Sequence, residues 1–367
     1  MLHAHGRAKV HRVVRGPWPA RIKPLENETL SSWLVRASLA NFSFPSTIVN
    51  YIWPGWRAWT RDIDRELTPE QLKALQQVSS LSANEIDSML LKPVIMRLNQ
   101  EAKLNRTNTW PWVIQRSTRN KNTIRSTQFC PLCLIQDVKP YLRRQWRISF
   151  ITICTKHRIN LHDSCPHCGA SVEVHKLTRG KLKQCAHCRW DMSDIKPASA
   201  NNELASVTDI LERQAFGDQG YSTTLFQRLR YLISLVRRLS AKQSIPQSAA
   251  TLFQCNEERF YAFADFSSLA FDWLTTEDRR SLLETVAPLM SMGPPQFALS
   301  LLESDIPLSL LNNCADTIPE ELQQYLPEKR CFDARARNEN QNPVKKLLAR
   351  RAIERRWQAF LVKHGIN

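Results

Sequence analysis

Apolar residues recur at helical spacing along most of the chain, which predicts a mainly α protein. From Asn27 onward Leu30, Trp33, Leu34 and Ala37 share one helical face, so a helix is expected over 28–40, with Asn27 as its cap and Glu28 in its first turn. LTPEQLKALQQVS predicts a second helix, with Thr68 as cap, Pro69 at the first helical position and Leu72 and Leu75 facing inward. SANEIDSMLL predicts a third, capped by Ser82. Three short helices suit a helix-turn-helix arrangement or a plain bundle, and the segment 41–60 is long for the loop of the former. Beyond residue 200 the stripe Leu225, Leu229, Leu232, Ile233 and Val236, and others through Leu269, Trp273, Leu282, Leu283 and Val286, predict a helical core broken by MGPP at 292–295. QWRISFITIC has the β-rich composition of a strand. PVKKLLARRAIERRWQAFLVKHGIN reads as a basic amphipathic helix with Ile353, Trp357, Phe360 and Leu361 on one face, either an ordinary final helix or one that docks a partner or lies along DNA.

Charge changes the picture. The chain of 367 residues has 51 Lys and Arg against 34 Asp and Glu, a net charge of +17, which points to a polyanionic partner, nucleic acid first. Residues 1–26 form a basic arm with no acid before Glu26, and 102–128 holds six Lys or Arg and no acid around Trp110 and Trp112. That second stretch either follows a phosphate backbone or is a solvated linker whose tryptophans pack on a neighbour. The basic residues that suit phosphate contact are Arg116, Arg119, Lys121 and Arg125 here, Arg143 and Arg144 in YLRRQWR, and Lys345, Lys346, Arg350, Arg351, Arg355 and Arg356 in the last helix. No run reaches the roughly 18 apolar residues of a membrane span, and the opening residues lack an apolar signal core, so a cytoplasmic protein is expected.

Seven of the ten cysteines lie between 130 and 188. Two ligands separated by two residues fit one metal, because the tight turn between them aims both side chains at one point. Cys130 and Cys133 with Cys154 and His157 make one set of four. Cys165 and Cys168 with Cys185 and Cys188 make an all-cysteine set. The paired spacing favours zinc over disulfides or an iron-sulfur cluster. Eight ligands fill two sites with no open coordination position, so both zincs are expected to be structural. His162 is a less well spaced alternative to His157; His167 and His187 are expected to point outward. Cys255, Cys314 and Cys331 stand alone and read as small buried hydrophobes. The architecture predicted is mainly α with small zinc-ribbon β elements: a basic arm (1–26), a helical, helix-turn-helix-like domain with a basic linker (27–128), a tandem zinc platform (129–195) and a C-terminal helical domain (196–367).

Catalytic signatures are absent from the pattern. Gly180-Lys181 is followed by Leu182, so there is no P-loop, and no Ser-His-Asp or Cys-His nucleophile set stands out. The acids of RDIDRE, Asp62, Asp64 and Glu66, alternate with arginines and read as a solvated surface. An enzyme is not expected.

ENETLSSWLVRAS (Glu26 to Ser38), FCPLC (Phe129 to Cys133), Trp146, Cys154 to Leu161 with its C-x-x-H-x-x-x-L pattern, and CPHCG (Cys165 to Gly169) together resemble the TniQ/TnsD family of transposition-targeting proteins. The resemblance covers residues 20 to 190. It implies a non-catalytic target selector that engages DNA or a DNA-bound complex and recruits an AAA+ transposition regulator, with structural zinc on the eight ligands named above. Some relatives read an attachment site through helix-turn-helix modules; others, in CRISPR-associated transposons, bind an RNA-guided Cascade-type ribonucleoprotein, often as dimers. The second half shows no recognition-helix signature, and the adaptor reading is preferred to direct site reading. A zinc-ribbon transcription factor and a metal-dependent nuclease are the readings from other classes.

Overall fold

The computed structural model describes residues 16–98, 104, 109–115, 127–177, 181–217, 222–242, 245–265, 269–313 and 318–326. It is mainly helical, with a single two-residue hairpin among the described residues. The first four helices are α1 (Leu30–Ala40), α2 (Pro45–Ile52), α3 (Pro69–Ser79) and α4 (Ala83–Asp87). They enclose a core of Trp18, Leu30, Trp33, Leu34, Ile48, Ile52, Trp53, Ile63, Leu75 and Ile86, in which the Trp18 and Trp33 rings stack at 5.8 Å. The caps of α3 and α4 are reciprocal boxes: Thr68 with Gln71, and Ser82 with Glu85. α2 occupies the segment expected to be a long loop. Pro45 opens it, and Ile48, Val49 and Ile52 bury its inner face.

The cap of α1 is Thr29, whose hydroxyl accepts from the Ser32 amide at 3.2 Å, and not Asn27. Asn27 instead takes a left-handed conformation, φ 53°, and gives both its carbonyl and its Oδ1 to Arg144. Polar residues of α1 are buried for the same kind of reason. Glu28 accepts from the Ser32 hydroxyl at 2.9 Å and pairs with Arg36, and the Ser32 oxygen accepts from the Leu142 amide at 3.0 Å. Burial pushes the Glu28 carboxyl above its usual range, against the pull of Arg36.

The reading of RDIDRE as solvated surface is corrected. Asp64 is buried: its carboxylate accepts from the Ser31 amide at 2.7 Å and the Ser31 hydroxyl at 2.9 Å. It and Asp62 also grip the fully buried Arg147, at 2.7 Å and 2.6 Å, while Arg147 donates to the Ile114 carbonyl at 3.2 Å. Burial works against the Arg147 charge, and the two carboxylates more than offset it, holding its pKa above the normal arginine value. Glu66 pairs with Lys92 at 2.9 Å.

From α5 (Lys92–Leu98) onward one continuous core runs through α6 (Pro131–Gln136), the hairpin β1 (Ile153–Cys154) and β2 (Ile159–Asn160), and the helices to Leu326. The hairpin is antiparallel, with Ile153 opposite Asn160 and Cys154 opposite Ile159. The strand expected over QWRISFITIC is shorter than predicted. Arg144–Arg147 forms a 3-10 turn, and the carbonyls of Trp146 and Ile151 are taken by the Gln128 side chain rather than by a neighbouring strand. Trp110 and Trp112 are buried, so the packing alternative describes them: Trp112 lies edge-on to Phe150 and Phe271. α7 (Asn202–Phe216) and α8 (Thr223–Lys242) follow, then α9 (Gln247–Leu252), α10 (Glu257–Ala262), α11 (Thr276–Met290), α12 (Pro294–Leu302), α13 (Leu308–Asn313) and α14 (Glu320–Gln323). α11 packs on α7 and α8, and MGPP separates α11 from α12 as its prolines and glycine dictate. Cys255 is buried as expected, whereas Cys314, Cys331, the basic arm to residue 15 and the C-terminal basic helix lie outside the described residues.

A second polar joint ties the middle of the chain to the C-terminal helices. The Ser149 hydroxyl donates to Asp272, whose carbonyl accepts from the Gln115 amide at 3.2 Å. Burial raises the Asp272 carboxyl to about 6. Two outcomes are expected. Asp64→Ala should lower unfolding free energy by about 3–5 kcal/mol in urea titration, the usual cost of stripping a partner from a buried ion pair. Asp272 favours folding in its protonated form, so its contribution is complete below the ordinary carboxylate value of 3.8 and is lost as pH rises through about 6; melting temperatures of Asp272→Asn should fall less than wild type between those limits.

Candidate metal centre

Cys130 caps α6 with its own sulfur: Sγ accepts from the Cys133 amide at 3.4 Å, and Pro131 at the first helical position leaves no amide unsatisfied there. That turn brings Cys130 and Cys133 to one side of the hairpin that carries Cys154. Cys154 then begins a tight knuckle in which the Arg158 amide donates to the Cys154 carbonyl at 2.7 Å. The same turn recurs twice in the second set: Gly169 to Cys165 at 2.8 Å, and Arg189 to Cys185 at 3.0 Å. In each knuckle the residue after the second ligand is left-handed, at φ 51°, 70° and 65° for Arg158, Gly169 and Arg189. Glycine meets that demand at no steric cost; the two arginines accept it to keep the ligands convergent.

Two clusters of four ligand atoms result, each with all its atoms within 4.8 Å of one another. In the first, His157 Nδ1 lies 3.4 Å from Cys130 Sγ, 3.4 Å from Cys133 Sγ and 3.5 Å from Cys154 Sγ, and Cys133 and Cys154 are 3.7 Å apart. In the second, Cys165 to Cys188 and Cys168 to Cys185 are each 3.7 Å. Sulfurs bound at 2.3 Å around a tetrahedral ion stand about 3.8 Å apart, and a sulfur and an imidazole nitrogen about 3.6 Å, so both sets have the size of a filled tetrahedral site. The outer nitrogen of His157 is held by Gln136 Oε1 at 2.9 Å, which fixes the ring with Nδ1 toward the sulfurs.

The thiols of the first site compete for protons. Contacts with Cys130 and Cys154, together with burial, keep the proton on Cys133, while hydrogen bonds from Cys130 and Cys133 draw Cys154 toward thiolate. A divalent cation between them removes the conflict by stabilising every thiolate at once. The sites differ in access. Ligands of the first are buried apart from the partly exposed His157, and in the second Cys168 is exposed.

His162 belongs to neither cluster. It pairs through its backbone with Phe129 and lies against that ring at 5.8 Å. His167 and His187 face outward as expected; His187 reaches Glu173 at 2.9 Å.

Arg143 and Arg144 do not present themselves as phosphate ligands. Arg143 makes a two-pronged pair with Asp137, at 2.7 and 3.0 Å, and lies over the Tyr141 and Trp146 rings. Arg144 is consumed by Asn27 and the Leu90 carbonyl, and burial pulls its pKa down to about 10. Arg144 thereby ties the 3-10 turn to the N-terminal helical region, and Arg143 braces that turn against the end of α6. Arg116, Arg119, Lys121, Arg125, Lys345, Lys346, Arg350, Arg351, Arg355 and Arg356 lie outside the described residues.

Residues 19–161 match the TniQ family model. Over this segment the chain is similar to the TniQ family. The matched residues run from the edge of the first helical core through the whole first metal cluster, and the second cluster lies beyond them. No curated protein matches the chain. The matched segment includes both ends of the Asp64–Arg147 bridge, which joins the helical core to the region of the first metal cluster. Among the described residues no helix is long and apolar enough to cross a membrane.

Elemental analysis of the purified chain is expected to find two metal ions per molecule, with Cys168→Ser keeping the first-site ion and losing the second. Chelator should empty the exposed second site before the buried first.

Proposed function

We propose that this transposition-associated TniQ protein is a non-catalytic target-selection adaptor. It engages DNA or a DNA-bound, RNA-guided complex in the cytoplasm and recruits an AAA+ transposition regulator. The observation that carries this reading is the saturation of both metal clusters: each offers four protein ligands of tetrahedral size. The ion that fits three thiolates and an imidazole, or four thiolates, is zinc. With four protein ligands it has no position left for water or substrate, so its contribution is rigidity.

Rigidity is what an adaptor requires. In such small modules metal binding is worth on the order of 10 kcal/mol, enough to hold knuckles whose own apolar surface is slight. Here the knuckles are also welded to the continuous core through Ile153, Leu161, Val172, Leu177, Leu182 and Met192. The net charge of +17 supports a partner rich in phosphate. Arg143 and Arg144 are engaged in internal packing, and the second half of the sequence carries no recognition-helix signature, which favours an address supplied by a partner complex.

Selection of the purified chain on random duplex DNA at rising salt tests this. The expected result is no enriched motif and binding that collapses with salt, alongside co-precipitation of an AAA+ transposition regulator. An enriched motif that survives high salt would make the chain a direct attachment-site reader.

A further inference from the structure

α8 carries a second feature that neither metal cluster uses. Arg230, Ser234, Arg237 and Arg238 fall on one side of the helix and line a pocket of about 450 Å³, closed by Trp112, Ile233, Ala241 and the segment Ala270 to Asp272. The pocket shares no residue with the metal sites. Its wall is apolar and its rim is cationic. Arg230 and Arg238 are exposed, and Arg230 is held in place over the Trp112 ring at 4.8 Å. Arg237 is committed to the structure: its guanidinium donates to the Leu269 carbonyl and so anchors the segment that forms the far wall. The pocket's carboxylate, Asp272, takes the Ser149 hydroxyl and already faces both Arg230 and Arg279, so it does not cancel the rim.

We propose that this pocket takes one nucleotide of a single-stranded nucleic acid, with phosphate on Arg230 and Arg238 and the base against the apolar wall. The volume falls in the range of pockets that enclose a small organic group, and a concave apolar wall has no use for a base still paired within a duplex. Guanidinium forks suit phosphate oxygens in pairs, and unstacked bases lie readily on arginine planes and carbon surfaces. The sequence supports a long polyanion over an isolated acidic group. Arg116, Arg119, Lys121 and Arg125 follow directly on Gln115, whose amide bonds the Asp272 carbonyl beside the pocket. This goes beyond the adaptor reading and does not depend on the ATPase or on either metal site.

The test is fluorescence anisotropy of the full metal-loaded chain with labelled dT20 and with a 20-base-pair duplex. Arg230→Glu combined with Arg238→Glu should weaken dT20 binding by on the order of tenfold or more. Ala241→Trp fills the pocket without touching its charge, and should weaken dT20 about fivefold or more while changing duplex affinity less than about twofold. Metal content and melting temperature report whether each variant folds; if the double variant does not, exposed Arg238→Glu alone should cost dT20 about threefold. Unchanged dT20 affinity in the charge variants overturns the proposal. So does an equal loss for duplex and dT20 in Ala241→Trp, or a polyglutamate peptide that displaces dT20 as effectively as unlabelled dT20 does.

Discussion

Arg147 is a full positive charge with almost no access to water, and the relation between the N-terminal helical core and the metal region depends on it. Its three partners come from two directions: Asp62 and Asp64 from the loop after α2, and the Ile114 carbonyl from the segment that leads into the metal region. Asp64 passes the constraint on to Ser31 at the start of α1. A charge buried this deeply is tolerated only while every partner is in place, so the network specifies one docking geometry and penalises all others. Arg144 with Asn27, and Glu28 with Arg36 and Ser32, close the same seam on either side.

The motif ENETLSSWLVRAS acquires a physical meaning from this seam. Leu30, Trp33 and Leu34 build the helical core, as any amphipathic helix would. Its polar letters are unusual, because Asn27, Glu28, Ser31, Ser32 and Arg36 are partnered across the joint or within it and are not hydrating a surface. Next along the chain from Arg147 comes the hairpin that delivers Cys154 and His157, so the metal cluster and the α1 seam brace the same turn from opposite ends. A chain built this way presents helices and knuckles as one body.

What the sequence disclosed follows from which signals are local. Thr68-Pro69 with Gln71, and Ser82 with Glu85, are complete within one turn, and the helices start where those residues place them. The eight metal ligands were legible because a two-residue gap is itself a geometric instruction. Asp62 and Asp64 were misread because their partner is more than eighty residues away, and an acid in a run of mixed charge looks the same whether it faces water or a buried arginine. α2 was hidden behind Phe42-Ser43-Phe44-Pro45, a turn-like opening whose proline proves to be the first residue of a helix. QWRISFITIC has strand composition but finds no strand to pair with over most of its length, since Gln128 takes its Trp146 and Ile151 carbonyls from a loop. Asn27 looked like a cap and became a ligand for Arg144, a role visible only once the metal region is folded against α1.

The central claim is that the first metal cluster and the α1 seam form one cooperative unit. Hydrogen exchange of backbone amides in 29–38 and 60–66, with and without a chelator strong enough to empty both clusters, tests it most directly. The account predicts that protection of α1 and of the Asp62–Asp64 loop is lost together with that of 130–161 when metal leaves. Protection of α1 that persists unchanged while the knuckles open would contradict it, and would make the metal region an independent appendage.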